Sequence, residues 1–340
     1  MRAGIENWFL KHWYGPHRPP WYLRMLEPVY LAAYQRVKKN KEAGSGTYRP
    51  RLPLIVVGNI TAGGSGKTPL VIRLCQLALE MELKPGIAST GYRRRSQETL
   101  DVQADSDTRT CGDEPVLLAQ RTGVPVVVAA KRPDAVKRLN DMDVDLVFSD
   151  DGLQQAGLER DMDICVIDGE RGLGNGHLIP AGPLRETADR LKRVAHVIAN
   201  GEWAGKPDDV DVTVMHLHPC VVCSLDDASQ YPVEEFQHHH AGTPIHAVAG
   251  IGNPKRFFNM LETLGIKATH HGFSDHHDFS SKDFDSIPVG SAIIMTEKDA
   301  VKCRSLALEN AWYIPVETRL PDEFESLFKD QLKRLVKDSL

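Results

Sequence analysis

Strand-length apolar runs recur from residue 52 onward: Leu54–Val57, Gly86–Ser89, Val124–Ala129, Val144–Phe148, Ile164–Ile167 and Val194–Ala199. Amphipathic stretches of helical length at 68–82, 114–122 and 133–141 separate several of them. Runs this continuous suit strands buried on both faces. Their alternation with helices predicts a mostly parallel sheet covered on both sides. A less regular acidic patch follows at 202–242. A second αβ set then begins at Pro244, with strands at 245–249, 291–295 and 312–315, a helix at 254–264 and a closing helix at 322–337.

Before residue 52 the pattern is different. Residues 5–14 place Ile5, Trp8, Phe9 and Trp13 on one helical face, with Lys11 and His12 off it. Gly15-Pro16 and Pro19-Pro20 break that helix. A second helix is expected from about Pro28, with Tyr30, Ala33, Tyr34 and Val37 on one side and Arg36, Lys38, Lys39 and Lys41 toward its end. Ala43–Gly46 reads as a short hinge. The expected organisation is therefore 1–46 as amphipathic helices, 47–238 as the main α/β domain and 239–340 as a smaller α/β domain.

Charge sharpens this division. The chain of 340 residues carries −5 overall, yet residues 1–51 hold ten Lys/Arg against three Glu, and three of the five tryptophans. A basic, aromatic-rich end on an acidic body fits aromatics in a headgroup layer and cations on anionic lipid; a pair of helices packed on the body is the plainer alternative. Apolar residues make up 41% of the chain, enough for a core, and no run is long enough to span a bilayer. Six cysteines without an export signal read as reduced cytosolic thiols. Arg93–Arg95 in an acidic body do not suggest nucleic-acid binding.

The most informative segment runs from Leu54 to Pro69. A buried strand enters a glycine-rich turn, then Lys67-Thr68, then a helix. Gly63, Gly64 and Gly66 let backbone N–H groups wrap a phosphate, and the helix adds its positive end. Lys67 can reach β/γ oxygens and Thr68 can offer a hydroxyl to Mg²⁺. The general pattern has glycine at position 61, where this chain has threonine. The expected fold class is thus α/β, a P-loop NTPase-like sheet with a smaller C-terminal α/β domain and an N-terminal helical anchor.

A P-loop needs acids at a neighbouring strand tip. The strand at 144–148 ends in Asp150-Asp151-Gly152, and Asp168 after the next strand is a rival. Gly112-Asp113-Glu114-Pro115 opens a helix, where an acid caps and where a proton acceptor for phosphoryl transfer could also sit. Cys220 and Cys223 with His216 and His218 superficially suggest zinc, but no second Cys pair exists and packed strand residues are the better reading. Gly250-Ile-Gly252-Asn-Pro254 lacks the third glycine of a dinucleotide fingerprint and reads as a turn into a helix.

The ordered series is more specific than any one motif. It comprises Gly58-Asn59-Ile60, Gly63 to Pro69, Gly91-Tyr92, Gly112 to Pro115, Asp150 to Gln154, Gly174 to Gly176 with Pro180 to Glu186, Phe273 to His277 and Thr296 to Asp299. It resembles the tetraacyldisaccharide 4′-kinase family of lipid A biosynthesis over about residues 8–305. Thr90 and Ser274 depart from its usual arginine and proline. The resemblance implies γ-phosphate transfer from ATP to the 4′-hydroxyl of a tetraacylated glucosamine disaccharide 1-phosphate, at the cytoplasmic face of the bacterial inner membrane. It implies that Thr61, Ala62, Gly63, Gly64, Ser65, Gly66, Lys67 and Thr68 hold the ATP phosphates. Thr68, Asp150, Asp151 and Glu114 would serve Mg²⁺. Asp113 would act as base with His276, in preference to His277, and Arg185 would stabilise the transferring phosphate or bind substrate. No obligate protein partner is expected. The alternative is a membrane-recruited P-loop switch ATPase acting on protein partners, which would need no base aimed at a sugar hydroxyl.

Overall fold

The computed structural model describes residues 2–44, 47–227 and 229–338. Ser45 and Gly46 of the expected hinge, and the side chains of Ile5, Lys38 and Lys41, lie outside what is described. Two sheets organise the chain. Across the first, the order is Val316–Arg319, Val212–Pro219, His196–Asn200, Met162–Asp168, Leu54–Gly58, Leu146–Asp150, Pro85–Ser89, Val126–Val128 and Leu100–Val102. The seven inner strands run parallel and both edge strands antiparallel.

The strand Leu54–Gly58 shows why the sheet is buried on both faces. Ile55 and Val57 pack with Leu70 and Leu74 of the helix Lys67–Leu79. Leu54 and Val56 face the other layer with Val147 and Ile167. Period-two alternation sends neighbouring side chains to opposite layers, and each layer here is apolar.

The second sheet has the order Gln230–Pro232, Val221–Ser224, Ala311–Ile314, Ala292–Thr296, Ile245–Ala249 and Thr269–Gly272. It therefore begins at Val221, inside the stretch expected to close the first domain. The chain leaves the first sheet after Pro219 and returns at Val316, and these two residues pair antiparallel. On the far side Tyr313 pairs with Cys223. The closing helix Asp322–Lys337 belongs with the first sheet, not the second: Phe324, Phe328 and Leu332 join the core around the helix Lys67–Leu79. Arg73 of that helix reaches Glu325 at 2.6 Å. The apolar face was legible in the sequence; what covers it depends on the returning strand.

Helices Arg2–Tyr14, Trp21–Arg24 and Glu27–Gly44 precede the first sheet. Their inner side chains grip its loops: Trp13 Nε1 donates to Pro180 O at 3.0 Å, Tyr14 Oη to Ala62 O at 3.0 Å and Tyr30 Oη to Arg185 O at 3.1 Å. Their outer side chains do not: Trp21 is 72% exposed and Met25 67%, beside exposed Tyr22, Leu26 and Val29. Among the described residues, no helix is long and apolar enough to cross a membrane.

Candidate functional site

Strand order places the chemistry. Leu54–Gly58 lies beside Leu146–Asp150 in parallel register, with Val57 opposite Asp150. The glycine turn and the paired aspartates therefore leave the same end of the sheet from adjacent strands, where α/β folds bind ligands. Lys67 Nζ lies 3.4 Å from Asp151 Oδ1, and Arg185 Nη1 lies 3.6 Å from Asp151 Oδ2.

The turn has little freedom. Gly66 caps the helix Lys67–Leu79 with φ 94°, and a Cβ there would lie 2.5 Å from Asn200 Nδ2. Both observations require glycine. Pro69 sits in the first helical turn, where it removes no hydrogen bond. Thr61 pairs with Leu184, Ala62 N donates to Pro183 O, and Arg185 N donates to Ile60 O. The segment after Pro183 is thus strapped to the phosphate turn, which delivers Arg185 to it.

The acids are held differently. Asp150 is 1% exposed, and both its carboxylate oxygens lack a hydrogen-bond partner. Burial, with the Glu114 charge added to it, pushes its carboxyl up to about 7. Burial also opposes ionisation at Asp151, but Lys67, Arg185 and Arg132 outweigh it and draw that carboxyl down to about 2. Buried Arg132 fixes the turn itself, donating to Asp150 O at 2.7 Å and Asp151 O at 3.0 Å. An orphaned buried carboxylate at the tip of the strand next to the one that enters the glycine turn fits a hard divalent cation shared with phosphate oxygens. Among the described residues no three His, Cys, Asp or Glu side chains form a ready-made cage. Mg²⁺ in phosphoryl-transfer sites commonly uses one or two carboxylates plus phosphate and water. Asp168 is engaged elsewhere, 3.4 Å from Arg256 of the helix Pro254–Thr263.

Asp113 is the first residue of the helix Asp113–Thr122; Gly112 holds the cap position without a side-chain cap, and Asp113 Oδ1 accepts only from the adjacent Glu114 N at 2.9 Å, so the expected capping role falls away. Its carboxylate also meets the second half of the chain. His276 Nδ1 lies 3.0 Å from Oδ2 and 3.1 Å from Oδ1. His277 turns away, with Nε2 3.2 Å from Asp283. Burial would raise the Asp113 carboxyl, but Lys298 and His276 outweigh it and hold it well below the usual range. His276 has φ 55°, donates its backbone N–H to Gly250 O, and sits edge-on to Tyr92 with ring centroids 5.0 Å apart. Arg93 Nη1 donates to Asp275 O at 3.0 Å.

The two halves meet at further points. The helix Glu297–Cys303 lies against Asp113–Thr122, joined by Arg121–Glu297 at 2.7 Å and Lys298–Glu114 at 2.8 Å. Arg171 Nη1 donates to Gly252 O at 2.9 Å, and a Cβ on Gly252 would fall 2.5 Å from Gly64 N. The turn at 250–253 that leads into Pro254–Thr263 thus touches the phosphate turn directly. Lys67, Asp151 and Arg185 form one cluster; Asp113, Glu114 and His276 form another. Sequence reasoning missed Arg132, which follows an apolar strand as an ordinary cation. Lys298 stands in the Thr296 to Asp299 motif as a lysine among acids at a helix start, which is the local signal for it.

A family model described as LpxK, tetraacyldisaccharide-1-P 4′-kinase, matches residues 20–333. A tetraacyldisaccharide 4′-kinase of Pseudomonas fluorescens is 42% identical over 339 residues, covering 99% of each chain. One from Alcanivorax borkumensis is 42% identical over 323 residues, covering 94% of this chain and 95% of that one. Among solved structures, an apo-form LpxK from Aquifex aeolicus in complex with ATP superposes with TM-score 0.74 at 25% identity, covering 92% of this chain and 98% of that one.

Proposed function

The chain belongs to the tetraacyldisaccharide 4′-kinase family, and from that membership we propose that it transfers the γ-phosphate of ATP to the 4′-hydroxyl of a tetraacylated glucosamine disaccharide 1-phosphate. The product is lipid IVA, a step of lipid A biosynthesis. The observation that carries this reading is the Asp113–His276 contact, made across the two halves at the end of the sheet where the phosphate turn opens. A nucleotide switch has no use for a buried carboxylate oriented by an imidazole.

The residues from Thr61 to Thr68 hold the triphosphate through backbone N–H groups. Lys67 leaves its pairing with Asp151 to reach the β/γ oxygens, and Arg185, already beside that carboxylate, steadies the transferring group. Thr68 and Asp150, with Asp151 and Glu114 close by, would hold Mg²⁺. When bound, the cation neutralises phosphate charge. Asp113, ionised throughout the working range, takes the proton of the acceptor hydroxyl while His276 keeps its carboxylate oriented. Most of the rate enhancement is positioning and charge neutralisation.

The exposed Trp21, Tyr22, Met25, Leu26 and Val29, with Arg18 and Arg24 among them, form the membrane-facing surface of a peripheral enzyme at the cytoplasmic face of the inner membrane. The test is ATP consumption with and without the acylated disaccharide. Phosphorylated disaccharide formed in step with ADP supports the kinase. Hydrolysis indifferent to the lipid favours the switch ATPase.

A further inference from the structure

We propose that Lys298 is a positioning residue for the reaction: its ammonium donates to Nε2 of His276, holding the imidazole in the tautomer whose Nδ1 proton points at Asp113. The proposal rests on the reading of Asp113 and His276 as the proton-accepting pair.

Lys298 is the second residue of the helix Glu297–Cys303, and that helix start is fixed. Thr296 Oγ1 accepts from Asp299 N, and the fully buried Asp299 accepts from Gly250 N at 2.9 Å and Thr296 Oγ1 at 2.7 Å. The same turn at Gly250 accepts the backbone N–H of His276. Lys298 and His276 therefore hang from one hydrogen-bonded frame. From it the ammonium lies 2.8 Å from Glu114 Oε1 and 3.3 Å from His276 Nε2, with Asp275 at 3.9 Å and Asp113 at 4.0 Å.

Donor chemistry then selects the ring state. A lysine ammonium has three donors and no acceptor, whereas a neutral imidazole has one of each. The nitrogen facing Lys298 must accept, so the ring proton sits on Nδ1 and meets the Asp113 carboxylate. The opposite tautomer would set donor against donor at Lys298 and lone pair against carboxylate at Asp113. A doubly protonated ring would set cation against cation. Of three ring states, only one satisfies both neighbours. Asp113 is the destination of the hydroxyl proton: the O–H bond of the acceptor breaks, an O–H bond on Asp113 forms, and His276 keeps its own proton.

The competing view is a buried ion pair with Glu114 that merely ties the two halves together. Ring ¹⁵N spectra of uniformly ¹⁵N-histidine-labelled protein at a single pH, with the His276 signals identified by their loss in His276→Gln, separate the two. The expected wild-type pattern is a protonated Nδ1 and an unprotonated Nε2. A protonated Nε2 in the wild type overturns the proposal without any variant. Lys298→Met is expected to lose that pattern and at least about tenfold in kcat, with little change in KM for ATP. Lys298→Arg, which keeps a donor, is expected to restore both. A Lys298→Met protein with the wild-type ring pattern, or with kcat within about twofold of wild type, overturns it. Should Asp113→Asn and His276→Gln leave turnover intact, the reading of the pair fails; the ring spectra still decide what Lys298 does.

Discussion

His276 Nδ1 lies 3.0 Å from Asp113 Oδ2, although 163 residues separate them and each hangs from a different sheet. The contact exists only when both halves are in register. Asp113→Asn should lower kcat by at least about a hundredfold, and His276→Gln by at least about tenfold, with KM for ATP nearly unchanged. Steady-state kinetics on the acylated disaccharide check both. Two variants near wild-type turnover would remove the pair from the mechanism.

On the proposed reading, Lys67 and Asp150 belong to the charge-neutralising side of the site. Lys67→Ala and Asp150→Ala should each cost more than about tenfold in kcat/KM, or about 1.4 kcal/mol of barrier. Asp150→Ala should also raise the Mg²⁺ concentration giving half-maximal turnover, and chelation of divalent cations should stop the wild type. A cation titration measured by ADP release distinguishes this from loss of nucleotide binding.

Gly66 has no room for a methyl group and a backbone that disfavours one. Gly66→Ala should weaken ATP binding by at least about tenfold, since the strained turn, at about 1–3 kcal/mol, must rearrange before it can wrap phosphate. Calorimetric titration with ATP measures it directly. Unchanged affinity would mean that Asn200 and the turn shift without consequence.

Tyr14 ties the first helix to the phosphate turn, and its environment predicts an alkaline limit. Burial, reinforced by Asp168 against two nearby arginines, pushes the phenol up to about 12. A folded-state pKa above the unfolded value of about 10 means that the unfolded or undocked chain ionises first. The stability this group confers is therefore complete below about pH 10 and is lost as pH rises toward about 12. Thermal melts followed by tryptophan fluorescence should show this loss in the wild type and a flatter profile in Tyr14→Phe.

The outward residues of the first helices should act independently of the nucleotide site. Trp21→Glu with Met25→Glu should reduce co-sedimentation with anionic vesicles by at least about tenfold while leaving ATP affinity unchanged. Point changes are the cleaner probe than truncation, because Trp13, Tyr14 and Tyr30 also support the loops of the active site. Equal loss of both properties would make that face part of the core.

What the sequence disclosed follows from what is local in it. The strand, glycine turn and helix around Lys67 are contiguous, as are Asp150 and Asp151, so their chemistry was readable in order. Asp113 reads from its neighbours alone as a cap, yet Gly112 holds that position; its contact with His276 is beyond local reading, since His276 arrives from another sheet. Arg132 is opaque because a buried cation is defined by partners that folding supplies, whereas Lys298 shows only its acidic neighbours and not the histidine it meets. The helix Asp322–Lys337 displayed its apolar face in the sequence, yet periodicity cannot say which layer receives it. The start of the second sheet at Val221 was hidden for the same reason: Val212–Cys223 reads as one β-type stretch, and the passage between sheets leaves no break in pattern.

The passage from one sheet to the other is made twice, side by side, with Val316 beside Pro219 on one side and Tyr313 beside Cys223 on the other. A lone tether would let the two halves swivel freely. A hydrogen-bonded double ribbon resists twisting and yields most easily by flexing across its flat face. The junction should therefore flex about one axis, which keeps the imidazole facing the same carboxylate.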